Sequence, residues 1–153
     1  MKLKGILDRN KELFSGKVIT QEEKLLLKEK FKTIFFIDNF IDLLLSYPLS
    51  ESCFSINEEE DLSELGVELQ WFSPSEMIEE AYDSYPGICA IKEGYLPLGK
   101  CMEGSGDPYF IKNVKEDYNI YRVPHDAIIN EVLKIDEIEL VCALSVLLQK
   151  IDI

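Results

Sequence analysis

A chain of 153 residues, 46% hydrophobic and 29% charged, has the size and apolar content of one globular domain, and its composition excludes a disordered tail. The formal net charge of −13 opposes binding to nucleic acid or to an anionic membrane, because phosphates are repelled instead of exchanging counterions for lysines. The same charge favours a basic protein as partner, although solubility alone is the ordinary reason for an acidic composition.

In chain order, residues 1–19 are basic, with Ile6, Leu7, Leu13 and Phe14 at helical spacing. They read as a helical N-terminal extension of a single domain spanning 1–153. A secretory leader is not expected, since Asp8, Arg9, Lys11 and Glu12 interrupt any apolar run after Met1-Lys2-Leu3-Lys4. The apolar run Ile34–Tyr47 is broken by Asp38, Asn39 and Asp42 and is too charged to span a bilayer. A cytoplasmic protein is therefore expected. Thr20-Gln21-Glu22-Glu23 forms a capping box that predicts a helix through Leu27 and Phe31. Asp38 reads as the N-cap of a second helix, which Pro48 stops.

Cys53–Ile56 is strand-like, and Val67–Trp71 alternates apolar and polar residues as a half-buried strand does. Ser73-Pro74-Ser75-Glu76 combines an N-cap, a proline at the first helical position and a glutamate at the third. The helix it predicts carries Met77, Ile78, Ala81, Tyr82 and Tyr85 on one face and ends at Pro86-Gly87. Three more strands are predicted at Ile88–Ile91 (or on to Leu98), Pro108–Lys112 and Ile120–Val123, a meander that implies antiparallel pairing. Asp126 and Asp136 read as helix caps, and Ile138, Val141, Cys142, Leu144, Ser145 and Leu148 as a closing amphipathic helix. The class is α+β: N-terminal helices, an antiparallel meander with one inserted helix, and a C-terminal helix.

Charge is distributed unevenly along this framework. Residues 1–32 hold nine of the sixteen basic residues against five acids. From Thr33 to Ile91 there is no Lys or Arg, but there are thirteen Asp and Glu. One face or end of the molecule is therefore expected to be strongly negative. Its candidate contact residues are Glu58, Glu59, Glu60, Asp61, Glu64, Glu68, Glu76, Glu79, Glu80 and Asp83, with Trp71 as an aromatic anchor if it is exposed. A solvated charged loop and a core tryptophan are the plainer readings of the same residues.

Catalytic and metal signals are weak. The lone histidine, His125, stands beside Asp126, but no nucleophile elbow or matched cysteine accompanies it, and a surface residue is the plainer reading. Gly104-Ser105-Gly106-Asp107 lacks the Lys-Ser/Thr and the following helix of a phosphate loop, so it reads as a tight turn. The acidic run lacks the spacing of a calcium loop. Cys53, Cys89, Cys101 and Cys142 have no metal or redox spacing and read as buried free thiols. Neither a catalytic residue nor a metal or cofactor is expected.

Val67–Glu80, then Gly94-Tyr95-Leu96-Pro97-Leu98-Gly99, then Gly104-Ser105-Gly106-Asp107-Pro108-Tyr109-Phe110, resemble in order the strand, helix, Pro-Leu-Gly strand and Gly-Ser-Gly-Asp turn of the SUKH superfamily. That is the family of the fungal Smi/Knr-type cell-wall-synthesis regulators and many bacterial relatives. Tyr121–Asp126 resembles the family's strand leading to a His-Asp pair, with Val123-Pro124 where a Trp commonly stands. The resemblance implies an α+β fold that binds proteins without catalysis. In its bacterial branch it implies an immunity protein that neutralises a cognate polymorphic toxin, often a nuclease, by occupying its basic groove. A regulatory or scaffold module of the fungal type is the alternative, and a small-molecule-binding or hydrolytic enzyme using His125 and nearby acids a weaker third.

Overall fold

The computed structural model describes residues 3–57, 59, 61–62, 66–102 and 107–149. Helix α1 (Leu3–Asn10) turns Leu3, Ile6 and Leu7 inward against the C-terminal helix, so the basic N-terminal segment is built into the main core. Helix α2 (Gln21–Lys30) starts at the expected box. The Thr20 hydroxyl accepts the Glu23 N–H at 3.1 Å, and the Glu23 carboxylate accepts the Thr20 N–H at 2.9 Å. Helix α3 (Ile37–Ser46) buries Ile37, Phe40, Ile41 and Leu44. Phe36 occupies its N-cap. Asp38 therefore does not cap the helix; it lies in the first turn, where the helix dipole favours a carboxylate, 3.6 Å from Lys28.

The sheet begins with β1 (Cys53–Ile56) and β2 (Val67–Trp71), followed by the inserted α4 (Pro74–Asp83) and a short α5 (Gly87–Ala90). Then come β3 (Leu96–Cys101), β4 (Tyr109–Val114) and β5 (Asp117–Arg122). A separate hairpin of β6 (Ile128–Ile129) and β7 (Val132–Leu133) precedes the last strand, β8 (Glu139–Ala143), and α6 (Leu144–Leu148). All pairings are antiparallel, and the large sheet runs β1-β2-β3-β4-β5-β8. Phe54, Leu69, Trp71, Ile111 and Ile120 line the face under the helices, where each fully buried side chain contributes about 1.5–3 kcal/mol. Trp71 stacks on Phe40, with ring centroids 6.0 Å apart and planes 5° apart. Because α6 packs against both β1 and β5, the sheet is curled. On its other face Phe110 joins Tyr95, Cys89, Val123, Ala127 and Leu133 in a smaller core. Among the described residues, no helix is long and apolar enough to cross a membrane.

Two expected elements differ. Ile88–Ile91 is not a strand: α5 covers Gly87–Ala90, a single 3₁₀ turn follows, and Gly94 reverses the chain at φ +86° before β3. The cause is Gly87, which does more than stop α4. A Cβ there would lie 1.7 Å from the Glu80 carbonyl oxygen, so only glycine lets α5 fold directly back onto α4. At the C-terminal end, Asp126 and Asp136 sit in 3₁₀ turns and cap no α-helix, while the expected long helix is β8 followed by one short helix. A register shift between β5 and β8 turns both Val141 and Cys142 inward. Adjacent buried residues break the period-two signal of a strand and imitate a helical stripe.

Candidate functional site

The acidic stretch is sorted by the fold into three groups. Glu58, Glu60 and Glu64, with the Gly104-Ser105-Gly106 turn, lie outside the described residues. Asp61 and Trp71 are inside the protein, so Trp71 is a core aromatic and not a surface anchor. Glu59, Glu68, Glu79 and Asp83 are exposed, while Glu76 and Glu80 are partly buried and held by specific partners.

Asp61 is the least expected of these. Its side chain is fully buried and faces Arg122, itself only 6% exposed, at 3.5 Å. Strand alternation explains the arginine: Tyr118, Ile120 and Arg122 share the inward face of β5, so the guanidinium enters the core and needs a counter-charge. One terminal nitrogen also donates to the Gly66 carbonyl at 3.0 Å and to the Tyr109 hydroxyl at 3.2 Å. Burial by itself would lower the Arg122 pKa, but the Tyr109 hydroxyl and the Asp61 and Glu139 charges outweigh it and raise it. Burial pushes the Tyr109 hydroxyl up to about 12, so it stays protonated. The Leu62 N–H donates to the Val141 carbonyl at 2.8 Å. Asp61, Leu62 and Gly66, between β1 and β2, are thus fastened across the curled sheet to β5 and β8.

Helix α4 supplies the second part. Ser73 accepts the Glu76 N–H at 3.3 Å and the Glu76 carboxylate accepts the Ser73 N–H at 3.0 Å, the capping box expected from sequence. The other Glu76 oxygen takes Lys100 at 2.8 Å. Burial pushes the Glu76 carboxyl up, but Lys100 and the capping bonds outweigh it and the net shift is downward. One turn on, burial raises Glu80 to about 7, against an opposing hydrogen bond from the Gly87 N–H at 2.9 Å and the nearby His125. On the helix face expected to be apolar, Met77 and Ala81 are buried, whereas Tyr82 and Tyr85 are exposed.

His125 is oriented by Asp107, not by its neighbour Asp126. The Asp107 carboxylate accepts the His125 backbone N–H at 3.1 Å and lies 2.5 Å from Nδ1. A carboxylate-held imidazole beside a carboxyl that titrates near 7 has the parts of an acid–base pair. Asp107, however, engages both the backbone N–H and the ring Nδ1 of His125, while the His125 carbonyl accepts the Ile128 N–H, which is a helix-turn and orienting arrangement. A cleft of about 510 Å³ is lined by Ala81, Tyr82, Ile88 and Ile91, with Thr33 and Lys92, and includes neither His125 nor Asp107. Among the described residues, no three His, Cys, Asp or Glu side chains are grouped to hold a metal ion. The four cysteines are not joined to one another by disulfides; Cys89 and Cys142 are buried as expected, Cys101 is half-buried, and Cys53 is exposed, because its edge-strand side chain points away from the main core.

Part of the charge segregation seen in sequence is cancelled in space. Lys17 meets Glu51 at 2.7 Å and Lys28 meets Asp38, so the basic N-terminal segment neutralises part of the acidic stretch. Among the described residues, Glu59, Glu68, Glu79 and Asp83 have no cation within 4.0 Å. No family model, no curated protein and no solved structure matches this chain. The sequence offers Asp107 only as part of a tight turn and gives Arg122 no role of its own. Alternation in β5 could have flagged Arg122; the distance in sequence from Asp107 to His125 hides that pair.

Proposed function

We propose that this protein binds a basic protein through its acidic side and does so without catalysis. The observation that carries the reading is the set of exposed carboxylates, Glu68 on β2, Glu79 and Asp83 on α4, and Glu59 in the turn between β1 and β2, which meet no cation among the described residues while their neighbours are neutralised. An interface of this kind speeds encounter with a positive surface and weakens as salt screens it. The SUKH-like motif order gives the reading its biological form, an immunity protein that blocks the nucleic-acid-binding groove of a cognate toxin. A partner that normally grips phosphates carries the basic surface that such carboxylates complement.

The test is affinity capture with the tagged protein from its own cells, at low and high salt, with bound proteins identified by mass spectrometry. A basic toxin domain released by salt, and lost with the charge-reversed variant Glu68→Lys/Glu79→Lys/Asp83→Lys, is the expected result. An acidic partner, or retention indifferent to salt, would overturn the reading. Recovery of cell-wall or signalling proteins would favour a regulatory module instead.

A further inference from the structure

The hairpin β6–β7 carries one face too many. It is only two residues per strand, too short to be stable alone, and it is held by its inner face. Leu133 and Ile128 pack on the smaller core, the Lys134 N–H donates to the Ala127 carbonyl at 2.8 Å, and the Cys89 thiol donates to the Glu131 carbonyl at 3.3 Å. Asn130 and Glu131, with φ of +52° and +64°, make the tight turn that matches strand twist. The hairpin is therefore a fixed platform.

A half-buried antiparallel pair ordinarily shows polar residues to water. Here the outward cross-strand pair is Ile129 and Val132, 50% and 57% exposed, and Ile135 just beyond β7 is 59% exposed. Exposed Asp126, Glu131, Asp136 and Glu137 surround this aliphatic knob in sequence, against a single exposed cation, Lys134. An apolar centre with a charged rim is the anatomy of a protein interface. The sign of the rim selects the occupant. We infer that the Ile129–Val132 face is the apolar anchor for a basic polypeptide segment that presents its own aliphatic side chains, a conclusion that rests on the basic-partner reading above. The hairpin touches α5, which in turn is bonded to Glu80 of α4, so anchor and acidic helix are parts of one rigid corner.

The test uses an amphipathic helical peptide of leucine and lysine as probe, with its leucine–glutamate counterpart as control. It is titrated into ¹⁵N-labelled full-length protein at low and at raised salt. Amide shifts centred on 128–137 with the lysine peptide and not with the glutamate peptide are expected. Ile129→Ser/Val132→Ser should weaken binding about tenfold, the loss expected for truncating interface anchors, while the spectrum elsewhere stays native. Glu131→Lys/Asp136→Lys should flatten the salt dependence. Shifts confined to Glu59, Glu68 and α4, with full affinity in the Ile129→Ser/Val132→Ser variant, would overturn the anchor and leave the acidic face standing. Shifts at the hairpin that ignore salt and peptide charge would overturn the basic-partner reading as well. Absence of binding by the lysine peptide would overturn the anchor.

Discussion

Asp61→Ala separates a buried clamp from a surface contact. The Asp61 side chain is fully buried against an arginine 6% exposed, so its removal takes away the buried counter-charge of a core guanidinium and leaves it the charge of Glu139. Breaking one partner of such a pair costs about 3–5 kcal/mol. Arg122 would keep the Gly66 carbonyl and the Tyr109 hydroxyl, and its contact with Asp61 is a long 3.5 Å, which places the loss at the lower end, about 3 kcal/mol. Urea unfolding should show this as a lower midpoint at unchanged slope, and heating as a Tm lower by about 6–12 °C. Hydrogen exchange should localise it, because the Leu62 N–H bonded to Val141 would lose protection before the centre of β4 does. The double variant Asp61→Leu/Arg122→Met should lose less than Asp61→Ala, since it removes both charges at once. A loss under 1 kcal/mol for Asp61→Ala, or a double variant weaker than the single one, would refute the clamp.

Three further outcomes follow from the same geometry. Folded Glu80 titrates at about 7 against 4.5 for the free group, so the folded chain keeps a proton that the unfolded chain releases between those values. Stability should therefore fall as pH rises from 4.5 to about 7; the shift alone corresponds to about 3 kcal/mol, which partial exposure screens to about 2 kcal/mol. Glu80→Gln, measured by urea unfolding at pH 5 and pH 8, should remove that slope and be the more stable form at pH 8. Gly87→Ala forces a methyl group to within 1.7 Å of the Glu80 carbonyl and should cost ~3 kcal/mol, with loss of the α4–α5 corner visible in amide spectra. In a thiol-reagent assay on the native protein, Cys53 should react at once, and Cys89 and Cys142 only on unfolding.

Local signals in the sequence determined much of this protein. The two capping boxes at Thr20 and Ser73, the alternation in Val67–Trp71 and the short spacing of the later strands act within a few residues, where hydrogen bonding and side-chain period dictate the backbone. They were enough for the α+β class and for the antiparallel meander. They also identified the acidic stretch from which the exposed carboxylates come. What they could not determine depends on partners distant in sequence. Asp61 looks like its glutamate neighbours until β5 delivers Arg122, 61 residues away, into the core. Gly87 looks like a stop signal until α5 folds back onto Glu80, and His125 looks paired with Asp126 until the β4–β5 turn brings Asp107 to it. The strand β8 was hidden because a register shift buries two consecutive residues, and with it the hairpin whose apolar face now stands open to solvent. Burial and charge pairing are properties of the packed chain, so only tertiary structure could decide which acids remain free to meet a partner.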